Sequence, residues 1–475
     1  MSAHMVGYLA DVTPQDAMTS ANSAWLYASA ALVLLMTPGL AFFYGGMTRA
    51  KSTLNMIMMS FSSIGIVSIL WVLYGYSLAF STDKGGYGLV GDLTHRFLHN
   101  ESYLSNTAGL YDYGFIAFQL MFAIITLALI SGAVADRMKF FSWLVFSVIW
   151  ITVIYFPVAH SVFFFGGPVG ADGKHGAGSA YLYGYHTGGW IVNHLGAFDF
   201  AGGTAVHINA GAAGLALCLV LGVRKGFKKE AMRPHNLPLV MIGTGLLWFG
   251  WFGFNAGSAL LANGFSGLAF VNTQVATAAA LMGWIIVERL RDGHFTTLGA
   301  ASGAVAGLVA ITPACGSVSP SGSIVVGFLA GVICAFAIGI KNALGFDDAL
   351  DVVGVHLVGG IWGTLSIGLL ATKATTSYYS DDAHAVKGLF YGGDASQLGK
   401  QALAAGAVLA YSFLGTLIIA LILKYTIGLR VTEEAEITGI DQAEHAETAY
   451  EWGSVSTGAT HGSSAFAPAP QRVVT

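Results

Sequence analysis

Residues 199–211 read Asp199-Phe-Ala-Gly-Gly-Thr-Ala-Val-His207-Ile-Asn-Ala-Gly211, and residues 348–360 read Asp348-Ala-Leu-Asp-Val-Val-Gly-Val-His356-Leu-Val-Gly-Gly360. In each, an aspartate stands eight residues before a histidine and a valine precedes the histidine directly. The surroundings are apolar enough for a membrane-spanning helix. An ionisable side chain inside a bilayer is costly, so each histidine marks a functional position by default. Two of them in matching frames point to a paired site inside a membrane protein.

Composition sets the class. Hydrophobic residues make up 55% of the chain and charged residues 10%, with mean hydropathy +0.66; a soluble domain carries roughly a quarter charged residues. The net charge of −4 and the lack of a basic stripe argue against nucleic acid as a partner. Cys218, Cys315 and Cys334 lie in or beside apolar runs, without metal-type spacing, and read as small packing residues. The 63 glycines fall largely within the spans, where small residues let membrane helices approach closely.

Apolar runs near the ~20 residues that a bilayer core requires occur at 22–44, 54–80, 113–135, 140–164, 200–221, 237–257, 267–288, 297–313, 323–340, 352–370 and 398–423, eleven in all. The runs 297–313 and 323–340 are short, with Gly and Pro nearby, which leaves merging or re-entrance open. Arg and Lys concentrate after the odd-numbered spans: Arg49 and Lys51, Arg137 and Lys139, Arg224 to Arg233, Arg289 and Arg291, Lys341, then Lys424 and Arg430. The opposite loops hold only Lys84, Arg96, Lys174, Lys373, Lys387 and Lys400. This bias predicts an N-terminus outside and a C-terminus inside. The first twenty residues contain no Lys or Arg, so a charged secretory n-region is not visible.

The two Asp–His frames begin spans five and ten, so each repeating unit holds five helices. An odd number of crossings turns the second unit upside down, as in transporters whose sites lie near the midplane at the repeat interface. Eight helical residues rise about 12 Å. From opposite faces of a ~30 Å core this leaves on the order of 6 Å between the histidines, a gap that two imidazoles nearly bridge. The expected fold is an all-α polytopic membrane protein: eleven transmembrane helices, two inverted five-helix repeats (about 22–221 and 237–370) and a last helix (398–423). The bland alternative is that each histidine only hydrogen-bonds a neighbouring helix. Asp199 and Asp348 likewise suit helix N-caps; capping is the better reading for Asp348 and Asp351, while Asp199 also supplies a negative potential at an external mouth.

Several longer motifs stand in order along the chain: the Asp199 segment, Pro234-His-Asn-Leu-Pro238, Gly250-Trp-Phe-Gly-Phe-Asn-Ala-Gly-Ser258, Phe270-Val-Asn-Thr273, Thr312-Pro-Ala-Cys-Gly316 and Gly354-Val-His356. Together they resemble the ammonium transporter family, the Amt/Mep branch of the Amt/Mep/Rh superfamily, from about Ala24 to Tyr450. The resemblance implies a bacterial-type homotrimer in the cytoplasmic membrane, with one pore per subunit and eleven helices in two inverted units. It implies that Ser258 supplies the hydroxyl of an external ammonium site with Phe118 and Phe122 as aromatic partners, and that Phe122 and Phe254 stack as a gate. Asp199 corresponds to the aspartate of recruitment and deprotonation, His207 and His356 to twin pore histidines, and Thr312 to a residue flanking the outer site. Phe163, in Val158-Ala-His-Ser-Val-Phe163, stands where the family usually has tryptophan, the best cation–π face. A cytoplasmic PII-type signalling protein is implied as a partner, with Arg430–Tyr450 as the coupling segment.

The chemistry makes sense of these residue types. Ammonium and potassium have similar size and charge, but only ammonium donates directed hydrogen bonds to a hydroxyl. A narrow apolar channel then penalises any unpaired ion and passes neutral ammonia. Other classes fit less well. A metalloenzyme needs a third ligand and an activated water, and no H-E-x-x-H motif occurs; no enzyme, metal or cofactor is expected. An ammonium sensor or an Rh-type ammonia or carbon dioxide channel are the alternatives, but the tail after Lys424 is short for a signalling domain, and Ser258 with its motif favours the Amt branch. Residues 1–21 are expected outside, 22–427 as the membrane domain, 428–453 as a cytoplasmic regulatory tail, and 454–475, rich in Ser, Ala and Pro, as disordered.

Overall fold

The computed structural model describes residues 13–450 apart from 84, 104–105, 108–109, 166–187 and 378–384. The helices in chain order are α1 (Pro14–Met47), α2 (Ala50–Phe80), α3 (Asp112–Val134), α4 (Phe140–Phe163), α5 (Gly203–Leu221), α6 (Leu237–Gly257), α7 (Gly264–Asp292), α8 (Thr297–Ile311), α9 (Pro320–Leu344), α10 (Val353–Leu370), α11 (Ser396–Thr426) and α12 (Glu433–Thr438). Ten of these, α1 to α7 and α9 to α11, are long and apolar enough to cross a bilayer. The remaining expected span is α8, an apolar helix of 15 residues. It rises only about 22 Å, because Pro313 ends regular helix and residues 312–317 continue as turns. The expected disorder of 454–475 lies outside the described residues.

Helix α1 begins at Pro14, eight residues before the expected 22, and the reason is a capping box. The Thr13 hydroxyl accepts the Asp16 amide at 3.2 Å, and the Asp16 carboxylate accepts the Thr13 amide at 3.0 Å, satisfying two groups that the first turn leaves free. Pro14 at the first helical position sacrifices no bond.

Two helix pairs carry the architecture, and both run antiparallel. Along α1 and α6, Gly46 faces Asn236 and Val240, Gly39 faces Gly243 and Leu247, and Gly250 faces Leu32 and Met36. The crossing is close enough that a Cβ on Gly243 would lie 2.4 Å from the Phe43 amide nitrogen. Along α5 and α10, Gly211 meets Leu357 and Gly360 meets Gly203, His207 and Ile208. The direction follows from the ends: the chain leaving α5 donates the Arg224 amide to Asp347, just ahead of α10, at 2.8 Å. Helices one and six, like five and ten, thus oppose each other across the molecule, as inversion of one unit against the other requires.

The end of the bundle rich in Lys and Arg is tied by buried charge. Asp136 accepts from Arg49 and Arg224, both at 3.1 Å, while Asp347 accepts from Arg224 at 2.8 Å and from Arg137 at 3.5 Å. Arg137 is 0% exposed and also donates to the carbonyl of Ala133 at 3.0 Å. The tail folds across this same end. Asp441 accepts amides in the first regular α-helical turn of α2, which begins at Thr53, from Leu54 at 3.0 Å and Asn55 at 2.8 Å, and Glu444 accepts the Phe140 amide at the start of α4 at 3.0 Å. Each carboxylate sits where helix N–H groups are unsatisfied and the dipole is positive.

Candidate functional site

His207 and His356 meet. Their Nδ1 atoms lie 3.3 Å apart and their rings 5.3 Å apart, inclined by 24°, with exposures of 1% and 3%. Neither sits in regular α-helix. Residues Gly203–Ile208 and Val353–Leu357 both form wider turns in which amides bond five residues back. Such insertions re-aim side chains and concentrate at functional positions. Here they occur at equivalent places in α5 and α10, turning both imidazoles into the space between the helices.

Asp199 caps the start of α5. One carboxylate oxygen accepts the Gly202 and Gly203 amides, each at 2.7 Å; the other accepts the Thr204 amide at 2.7 Å and the Thr204 hydroxyl. Asp348 caps α10 more sparsely, accepting Val353 at 2.7 Å and Val352 at 3.1 Å. Lys341 bonds the Asp348 carbonyl at 2.8 Å and the Asp351 carboxylate at 2.6 Å. Burial pushes the Asp348 carboxyl above its usual value, against the pull of Lys341. The capping reading of both aspartates agrees with these contacts, and at Asp351 the contact is an ion pair.

A column of aromatic rings leads from the Asp199 end toward the histidines. Phe118 contacts Phe122 with ring centres 4.9 Å apart, and Phe163 meets Phe122 edge-on at 6.1 Å and 82°. Phe122 and Phe254 stack at 4.1 Å and 21°. Below them Phe254 lies 6.2 Å from the His207 ring. All four phenylalanines are buried. Ser258 is partly exposed, one turn beyond Phe254, and its hydroxyl donates to the Phe254 carbonyl at 2.8 Å. Phe118, Phe122, Phe163, Phe254, His207 and His356 therefore form one continuous cluster, with Ser258 at its open end. The loop carrying Asp199 adjoins it, since a Cβ on Gly202 would touch the Phe163 ring at 3.4 Å.

Trp251, within the Gly250–Ser258 motif, joins the cluster without any signal of its own for a role there. Its ring stacks on His207 at 5.4 Å and 19°, and its Nε1 donates to Thr312 at 2.8 Å. The spacing Trp251-x-x-Phe254 held the signal, since residues three apart share a helix face. Thr312 reaches the site through this indole.

The family described as Ammonium Transporter Family matches residues 24–450. The chain belongs to the ammonium transporter family. An ammonium transporter of Mycobacterium tuberculosis is 56% identical over 450 residues, covering 92% of this chain and 91% of that one. One from Bacillus subtilis is 44% identical, covering 91% and 99%. Among solved structures, Mep2 of Saccharomyces cerevisiae superposes with a TM-score of 0.76 at 31% identity, covering 89% and 90% of the two chains. A protein titled Sensor Amt Protein superposes at 0.78 and 28%, covering 90% and 99%. This member of the ammonium transporter family is thus a multi-pass membrane protein with the fold of the Amt and Mep structures.

Proposed function

We propose that this transporter carries ammonium across the cytoplasmic membrane by binding the cation outside, removing its proton and conducting ammonia inward. The observation that carries the reading is the buried His207–His356 pair at the foot of an aromatic column, joined from two antiparallel helices. Phe118, Phe122 and Phe163 present ring faces and edges around the mouth, and Ser258 offers a hydroxyl oxygen to an N–H donor. A cation–π contact contributes about 0.5–2 kcal/mol, the upper end when desolvated. Asp199, its oxygens held by its own cap, supplies a fixed negative potential that recruits the cation; proton loss is driven by desolvation at the phenyl pair, which disfavours the charged form, and the proton passes to water at the mouth. The stacked Phe122 and Phe254 form the gate. Beyond it an ion loses its hydration without replacement, whereas ammonia exchanges hydrogen bonds with the two imidazoles.

The assembly we propose is a homotrimer of eleven-helix subunits: two inverted five-helix units, then α11. The membrane domain spans 22–427, residues 1–21 lie outside and the cytoplasmic tail covers 428–453. The basic end faces the cytoplasm, where a PII-type protein docks near the tail. Single cysteines replacing Lys225 and Lys373, in a background without native cysteines, test the orientation: only the latter should react with an impermeant reagent on intact cells.

A second reading is sensing without flux, which the likeness to the Sensor Amt Protein favours. Labelled methylammonium uptake and current, recorded in the same proteoliposomes, separate the two. Uptake above protein-free vesicles supports transport; binding without uptake supports sensing.

A further inference from the structure

We infer that the cleft between the α5–α6 loop and the start of the tail binds the headgroup of an anionic phospholipid. The cleft encloses about 510 Å³. Val223, Lys225, Phe227 and Lys229 line it from the loop, and Arg430 and Glu433 from the tail. Two further lining residues close its back and are committed elsewhere. Arg224 holds Asp136 and Asp347, and Glu436 accepts Arg430 at 2.7 Å and the Lys225 amide at 2.6 Å.

The lysines at its mouth are available. Lys225 reaches Glu433 at 2.6 Å, but the two side chains are 51% and 62% exposed, so the pair is weak and a phosphate can displace the carboxylate. Lys229 is exposed and has no carboxylate partner among the described residues. Lys228 stands beside them, 5.7 Å over the Phe227 ring. A phosphate entering here meets two ammonium groups and the edge of the Arg430 guanidinium.

The approach to the cleft selects a lipid over a soluble anion. Leu219 and Val223, one turn apart on the α5 side, are 54% and 42% exposed. On α11, Ile422 is 55% and Tyr425 80% exposed. The two helix ends adjoin, because Lys424 donates to the Val220 carbonyl at 3.2 Å. An apolar face therefore runs along both helices up to a basic cleft. That is the arrangement in which acyl chains lie on the helices while the headgroup meets lysines. A free phosphate or nucleotide would gain nothing from the apolar approach. Because Arg430, Glu433 and Glu436 belong to the tail, an occupied cleft braces the tail's first turn against the loop. The leaflet that supplies the lipid follows from the orientation proposed above; the site does not depend on it.

Native mass spectrometry of the purified full-length protein, titrated with phosphatidylglycerol or phosphatidylcholine, tests this. Each lysine near a membrane surface contributes about 1 kcal/mol, so the wild type should retain phosphatidylglycerol roughly tenfold or more over phosphatidylcholine. Lys225→Ala with Lys229→Ala should bring the two lipids to near parity, while Lys387→Ala, at the other end of the bundle, should change nothing. Lys229→Glu alone should also lower the preference, which covers the case in which the double variant disturbs the tail; a thermal melt checks each fold. An unchanged preference in both pocket variants overturns the proposal. So does displacement of the lipid by millimolar glycerol phosphate, which would mark a site for a soluble anion. Methylammonium uptake in phosphatidylcholine vesicles reads the transport assignment by itself, so the two proposals fail separately.

Discussion

The indole Nε1 of Trp251 donates to the Thr312 hydroxyl at 2.8 Å, and Thr312 donates onward to the Leu308 carbonyl at 2.7 Å. The same indole stacks on His207 with ring centres 5.4 Å apart, so the end of α8 helps to set the position of that ring. Thr312→Val keeps the shape and strands a buried N–H, at a cost of about 1–3 kcal/mol. Methylammonium uptake should fall several-fold at normal protein yield, and Thr312→Ser should restore it. Wild-type uptake in the valine variant would remove Thr312 from the site's support.

Phe163 meets Phe122 edge-on at 6.1 Å, in the wall of the proposed cation site. Indole offers a stronger quadrupole than phenyl. Phe163→Trp should therefore lower the half-saturating methylammonium concentration, read from uptake curves. An unchanged value alongside a strong effect of Ser258→Ala would mean that this wall does not touch the cation.

Asp347 neutralises Arg137 and Arg224 where neither has adequate access to water. Asp347→Asn leaves Arg49, Arg137 and Arg224 facing Asp136 alone. Breaking such a buried network by removing one partner costs about 3–5 kcal/mol, so the detergent-solubilised protein should melt at a clearly lower temperature. Adding Arg137→Met should recover part of the loss. A melting temperature equal to wild type would show that water already reaches the cluster.

Between α2 and α3, His95 Nδ1 lies 2.6 Å from Glu101. Bonding to the Glu101 carboxylate raises the imidazole above its usual value, although partial burial opposes it. Because the folded value exceeds the unfolded one, the pair's contribution is full below about pH 6.5 and is lost as pH rises through the raised value. Amide protection across 92–101, corrected for intrinsic exchange, should decline as pH rises through that range. Glu101→Gln should flatten the profile; a pH-independent wild type would count against the pair.

The histidines were legible because an ionisable group stands out in an apolar run, and the repeat in their frames gave the expectation of five helices per unit. Their wider turns were not, since a shift from four-back to five-back bonding leaves no compositional mark. The early start of α1 is written in Thr13-Pro-Gln-Asp16, a capping box that lies outside the apolar run and so leaves no hydropathy signal. Arg137 and Arg224 were counted as loop charges. They are buried, because their partner Asp347 comes from far along the chain and sequence spacing cannot show it. The contacts of the acidic tail were hidden for the same reason: Glu436, Asp441 and Glu444 take up amides of Lys225, Leu54, Asn55 and Phe140.

In the proposed pore the two imidazoles act together, and a double-mutant cycle on methylammonium uptake and potassium current in proteoliposomes measures that coupling directly. Removing either ring leaves its partner with an unpaired buried nitrogen, about 1–3 kcal/mol or roughly 5- to 150-fold in uptake. His207→Ala and His356→Ala should each impair uptake within that range, and the double variant should lose far less than the product of the two. Potassium current should appear where an imidazole has given way to water. Wild-type uptake and selectivity in both single variants would reduce the pair to a packing contact and contradict the proposed pore.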